Sequence, residues 1–224
     1  MQRFFDVILS VLALFILSPI FILIAIILRL TGEGEIFFIQ KRIGKYGKIF
    51  YLYKFVTMLK NSPNLSTGTV TVKNDPRILP FGHFLRKTKI NELPQLLNIM
   101  LGDMSIVGPR PLTTQTFFLY DIKAQKIIKK VRPGLSGIGS IIFRNEESVL
   151  TDEDNALEFY KNKLATYKGD LEIWYVNNQN LKIYFFIIFL TIWVVIFHSP
   201  KIITKIFPDL PMPSKKLKIL LNLS

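Results

Sequence analysis

The residues best equipped for chemistry lie in KINELPQLLNIMLGDMSIVGPRP, residues 89–111, which sets an amide beside a carboxylate at Asn91-Glu92 and closes on Pro109-Arg110-Pro111. Prolines on both sides of Arg110 restrict the backbone there, which lowers the entropy lost when its guanidinium fork grips a phosphate or carboxylate. Thr88 followed by Asn91 reads as a helix N-cap pattern, with Asn91 and Glu92 in a first turn and Pro94 either starting or kinking that helix. A carboxylate at that end meets the positive pole of the helix dipole and stays ionised. Phosphate oxygens and hard cations gather there too. The plainer alternative is that Glu92 only caps the helix.

A second candidate surface is RILPFGHFLRKTKI, residues 77–90, where Arg77, Arg86 and Lys87 are interleaved with apolar side chains. It reads equally as a phosphate-binding face and as an interfacial helix with snorkelling cations. Arg132, in the turn Arg132-Pro133-Gly134, is expected to point into the same cavity. The two histidines, His83 and His198, have no readable partners. Glycine-rich phosphate loops, paired-His metal spacings and dinucleotide fingerprints are missing from the sequence. The chain has no cysteine, so thiolate metal sites, disulfides and a Cys nucleophile are excluded.

The elements that must hold these residues divide the 224-residue chain into a hydrophobic stretch (1–32), a body (33–182) and an apolar, then basic, C-terminal part (183–224). Residues 7–28 run 22 positions without a charge, enough to cross a bilayer core. Ser18-Pro19 sits at the midpoint, where Pro19 removes a backbone donor and the Ser18 hydroxyl is well placed to satisfy a freed carbonyl. Two half-helices forming a re-entrant hairpin and one kinked spanning helix are both compatible with this. The basic stretch that follows, Lys41 to Lys48, places the body on the cytoplasmic side. Short β-prone runs about Gly44 and Gly47 predict a hairpin. Residues 61–76 read as a loop over the site, 113–131 as helix, LSGIGSIIF as a strand, 155–180 as helix, 183–197 as an interfacial or core helix, and the tail as a surface anchor.

The net charge of +13 favours anionic partners. Nucleic acid is disfavoured among them, because the basic residues are interleaved with large apolar ones and follow a membrane segment.

Taken in order, Ser18-Pro19, FFIQKRIGKYGKIFYLYKFVTM, NDPRILPFGHFLRKT, ELPQLLNIMLGDMSIVGPRP, VRPGLSG and WYVNNQNLKIYF resemble the bacterial sugar transferases, the monotopic phosphoglycosyl transferases. The resemblance covers most of the chain. It implies a mainly helical α/β body half sunk in the cytoplasmic leaflet of the inner membrane, with a Pro-broken re-entrant N-terminal helix. It also implies Mg²⁺ dependence and transfer of a sugar-1-phosphate from a nucleotide diphosphate sugar, usually a UDP-sugar, to undecaprenyl phosphate. Membrane lipid is a further partner, and a second copy or other glycan-pathway enzymes are left open. By position Glu92 matches the second acid of the family's Asp-Glu pair, and Arg110 the arginine that grips a nucleotide phosphate. Where the family has its nucleophilic Asp this chain has Asn91, and an amide cannot form an acyl phosphate. Three readings follow: Glu92 as nucleophile or base, with Glu146 or Glu147 completing an Mg²⁺ site; Asn91 as a metal-site residue in a one-step transfer; or an inactive membrane partner of glycan enzymes.

Overall fold

The computed structural model describes residues 1–62, 75–144, 160–197, 202–221 and 223. The first element is one long helix, α1 (Gln2–Thr31), about 45 Å at roughly 1.5 Å per residue. It continues through Pro19. The missing Pro19 N–H would have bonded the Phe15 carbonyl, and the Ser18 hydroxyl takes that carbonyl at 2.8 Å. Ser18-Pro19 therefore marks a repaired donor loss inside one helix, not the end of one and the start of another.

Both ends of α1 are fastened to the body. Arg3 donates to the Met100 carbonyl at 2.9 Å and Gln2 to Ser105 Oγ at 2.9 Å. At the far end Ile24 and Leu28 pack with Phe55 and Leu85, and midway Leu14 and Leu17 pack on Leu96 and Met104. The opposite stripe, Ile8, Val11, Phe15 and Ile16 among it, is exposed. Asp6, 2% exposed, accepts bonds from Ser105 Oγ, the Ile106 N–H and the Tyr184 hydroxyl at 2.9 to 3.0 Å. Asp6→Ala strands those three donors, and a loss on the order of 3 kcal/mol is expected in thermal unfolding of the detergent-solubilised protein.

After α1, β1 (Phe37–Ile43) and β2 (Ile49–Phe55) pair antiparallel from Phe37↔Phe55 to Ile43↔Ile49. The chain turns back at Tyr46 (φ 59°) and Gly47 (φ 77°), as the hairpin reading required. Then come α2 (Pro80–Thr88) and α3 (Gln95–Leu101). Next, β3 (Ser105–Val107) pairs in parallel with β4 (Gly134–Ser136), with α4 (Thr114–Phe117) and α5 (Ile122–Ile128) between them. The close is α6 (Ile138–Ile142), α7 (Thr166–Asn178), α8 (Leu181–Phe197), α9 (Ile202–Ile206) and α10 (Lys215–Leu220). Among the described residues the protein is mainly helical with two small sheets. Its long apolar first helix is compatible with membrane association.

Three expectations are corrected. Residues 113–131 form two short helices instead of one. LSGIGSIIF is strand only at its start. Gly134 approaches so closely that an added Cβ would lie 2.1 Å from the Gly108 nitrogen, and beyond it Ile138, Ile141 and Ile142 bury one helical face. The tail is no simple surface anchor, since Leu217, Leu221 and Leu223 are buried in the same core as Val107, Leu171 and Leu190. The acidic stretch 146–154 and residues 63–74 of the predicted loop lie outside the described residues.

Candidate active site

Thr88 does not cap a helix ahead of it; it ends α2, its hydroxyl bonding back to the Phe84 carbonyl at 2.8 Å. Lys89 then takes a left-handed conformation, φ 62°, and the chain makes a single 3-10 turn, Ile90–Glu92, before Pro94 opens α3. Asn91 and Glu92 thus precede the helix and do not sit in its first turn. The turn delivers both into a cavity of about 670 Å³.

Glu92 Oε1 accepts from Lys54 Nζ at 3.0 Å and from Arg110 Nη2 at 3.4 Å. Lys54 stands on β2, and Arg110 on the segment after β3. The Arg110 loop is fixed from two sides. Arg42 on β1 donates to the Pro111 carbonyl at 3.0 Å, and the Arg110 N–H donates to Glu172 Oε1 on α7 at 3.3 Å. Gly139 makes room for that carboxylate, since a Cβ there would lie 2.5 Å from Glu172 Oε1.

Burial alone would raise the Glu92 pKa, but Lys54, Arg110 and Lys89 more than reverse this and hold it well below the usual carboxylate range. Burial pushes Lys54 down to about 8, Glu92 opposing the fall while Arg110 and Arg42 add to it. Glu172 goes the other way. Burial pushes its carboxyl up to about 7 against the Arg110 N–H, Lys168 and Arg110, which favour the anion. Two carboxylates beside one arginine are thus driven apart, one a fixed anion and the other protonated in part near neutrality.

A carboxyl whose folded pKa exceeds its ordinary 4.5 makes the folded state bind more protons than the unfolded chain in that window. Stability should therefore fall as pH rises from about 4.5 to 7, by on the order of 3 kcal/mol for Glu172. Glu172→Gln, which keeps the acceptor for Arg110, should flatten this slope in unfolding curves taken across that range.

The cavity collects Glu92, Asn91, Arg110 and Arg86 from the residues marked by sequence. It does not collect Arg77, Lys87 or Arg132. Arg77 is 3% exposed and binds Asp75 in a fork at 2.6 and 2.8 Å, because a buried guanidinium must find a carboxylate nearby. Lys87 is exposed on α2. Arg132 donates to the Gly102 carbonyl at 2.7 Å and braces the turn after α3. Glu146 and Glu147 lie outside the described residues.

Sequence reading missed Lys54, Glu172, Arg42 and Lys168, all of which line the cavity. A signal existed for two of them. Lys54 occupies the same alternate register as buried Phe50 and Leu52, an odd place for a lysine on a core-facing strand surface. Glu172 interrupts a run of buried Leu171, Trp174 and Tyr175.

Three oxygens in the cavity are buried without a hydrogen-bond partner among the described residues, Asn91 Oδ1, Ser140 Oγ and Glu172 Oε2. Such acceptors are rare in folded proteins and call for a ligand or solvent. Both cation contacts to Glu92 fall on Oε1. Asn91 Oδ1 and the Glu92 carboxylate are hard oxygen donors of the kind Mg²⁺ takes together with substrate phosphates, so the residues fit such an ion. Among the described residues no group of three His, Cys, Asp or Glu forms a cage by itself.

A family model described as bacterial sugar transferase matches residues 1–198. The chain is 39% identical over 164 residues to the exopolysaccharide production protein ExoY of Sinorhizobium fredii, covering 67% of this chain and 72% of that protein. It is 34% identical over 192 residues to the UDP-glucose:undecaprenyl-phosphate glucose-1-phosphate transferase of Escherichia coli, covering 84% of this chain and 39% of that one. To the undecaprenyl-phosphate galactose phosphotransferase of Salmonella typhimurium it is 32% identical over 197 residues, 81% of this chain and 37% of the relative. The chain thus spans well under half the length of these last two.

Proposed function

This chain belongs to the bacterial sugar transferase family, and from that we infer that it is a phosphoglycosyl transferase moving a sugar-1-phosphate from a nucleotide diphosphate sugar to undecaprenyl phosphate. The observation that carries the reading at this site is the carboxylate of Glu92 held in the cavity between Lys54 and Arg110. A UDP-sugar is the proposed donor, as the name of the Escherichia coli relative suggests.

Glu92 is the proposed nucleophile, since the neighbouring position is an amide. One of its oxygens attacks the phosphorus that carries the sugar, and the bond to the departing nucleoside monophosphate breaks with its electrons going to UMP. An oxygen of the acceptor phosphate then attacks the same phosphorus and displaces Glu92. A monoester phosphate is largely ionised near neutrality, with its second pKa at about 6, so this step needs no base. The low basicity imposed on Glu92 by its cations makes it a competent leaving group. Lys54 and Arg110 lie where negative charge builds up on the transferring group. Asn91 and Glu92 would hold Mg²⁺, which when bound neutralises diphosphate charge.

The proposed setting is the cytoplasmic face of the inner membrane, with α1 lying in one leaflet. What supports this is the attachment of both ends of α1 to one body and the basic residues that follow it. Single cysteines replacing Gln2 and Gly34 should react with a membrane-impermeant thiol reagent from the same side, and labelling from opposite sides would establish a spanning helix. The chain contains no cysteine of its own to confuse the result.

The test of function is UMP release from a panel of UDP-sugars by the purified protein with undecaprenyl phosphate and Mg²⁺. Release by the wild type supports the transferase. Release only by Asn91→Asp would mean a silenced relative.

A further inference from the structure

The stretch of cavity wall that α8 supplies is apolar but for Thr191. This helix carries one charged residue, Lys182, and it presents three faces. Tyr184, Ile187, Leu190 and Val194 are buried against the body. The stripe beside them, Ile188, Thr191, Ile192 and Val195, lines the cavity that holds Glu92 and Arg110. The third face, with Phe185, Phe189 and Ile196, is exposed. Ile192 and Val195 belong to two faces at once, since they line the cavity and are also 55% and 37% exposed. The apolar wall therefore runs from inside the cavity to the outer surface of the helix. Thr191, the polar member of the stripe, has its hydroxyl engaged by Ser136 Oγ at 2.5 Å and the Ile187 carbonyl at 2.7 Å.

One cavity thus has both cationic groups and an apolar stretch of α8 in its wall. A soluble nucleotide sugar is served by the cationic groups alone. An amphiphile with a phosphate head and a long hydrocarbon chain requires both. A helix apolar on every side yet exposed along one of them has lipid as its natural surroundings. We propose that the isoprenoid chain of the acceptor runs along the Ile188, Ile192 and Val195 stripe of α8, with its phosphate at the Arg110 end. This rests on the reading of the site as a transferase that uses polyprenyl phosphate, and it assigns α8 the recognition of the chain.

The test places a photoreactive benzoylphenylalanine at position 192 or 189 of the full-length protein in phospholipid nanodiscs containing mass-tagged undecaprenyl phosphate. Phe189 is 54% exposed on the same helix but is not part of the cavity wall. Irradiation should give an adduct with the tagged lipid at 192 that excess untagged undecaprenyl phosphate suppresses and excess phospholipid does not, with no such competition at 189. Ile192→Asn should also raise KM for undecaprenyl phosphate by about tenfold, as expected for spoiling an apolar pocket. Adducts that are absent, or equal at both positions and not competed, overturn the α8 subsite. If the wild type releases UMP in that event, the transferase reading stands without it. Competed adducts at 192 in a protein that releases no UMP from any donor would keep the lipid subsite and sink the reaction.

Discussion

Glu92→Gln should lower UMP release by at least about a thousandfold, the scale on which removal of a covalent nucleophile is felt. The substitution preserves size and an acceptor oxygen, so the fold should persist, but a neutral amide is no nucleophile toward phosphorus. It also removes the anion that engages Lys54 at 3.0 Å and Arg110 at 3.4 Å. Both cations then face a bound diphosphate without the Glu92 carboxylate competing for them. Measured without Mg²⁺, for which Glu92 is a proposed ligand, nucleotide affinity should hold or tighten while turnover is lost, and that split separates a reacting group from a structural one. Assays of UMP release and of UDP binding by calorimetry on the same preparation read both. Turnover within tenfold of wild type would remove Glu92 from the chemistry.

Lys54→Met should cost about a hundredfold in kcat/KM, a typical loss when one preorganised cation is taken from a developing oxyanion. Two effects combine. The transferring phosphate loses a positive partner, and Glu92 stays buried with the longer Arg110 contact as the remaining one of its pair. Burial then acts on Glu92 with less opposition and its pKa rises. The wild-type pH profile should carry the same information. Lys54 is pushed down to about 8, so kcat/KM of the free enzyme should decline as the pH passes that value and the ammonium loses its proton. Lys54→Arg keeps a charge at all working pH values, so its profile should lack this limb even if its rate is lower. A limb unchanged in Lys54→Arg would assign the titration to another group.

Much of this site could be read along the chain. The Pro-Arg-Pro clamp, Glu92 and its amide neighbour were found from residue types within twenty positions of one another. The Ser18 hydroxyl was matched to the carbonyl that Pro19 frees, because a helix puts donor and acceptor one turn apart. The β1–β2 hairpin followed from the short β-prone runs about Gly44 and Gly47. What failed did so for a shared reason. Arg77, Lys87 and Arg132 carry the right charge at plausible places, yet charge says nothing about direction. Asp75 claims the first, solvent the second and the Gly102 carbonyl the third. Thr88 resembled an N-cap because Thr and Asn favour such positions, but the left-handed Lys89 ended one helix there without starting the next.

The sequence by itself determined that a carboxylate, an amide and a clamped arginine stand close together in a chain that also carries a long apolar segment, since local spacing and hydrophobic runs need no tertiary information. Only the folded structure decided what those groups face. Lys54 reaches Glu92 across 38 positions, Glu172 reaches the Arg110 backbone across 62, and Tyr184 reaches Asp6 across 178. Such contacts arise when the packing of β2, α7 and α8 closes long loops, and burial together with the cations brought nearby sets the charge of Glu92 and Glu172. The periodicity of a single segment holds no record of that.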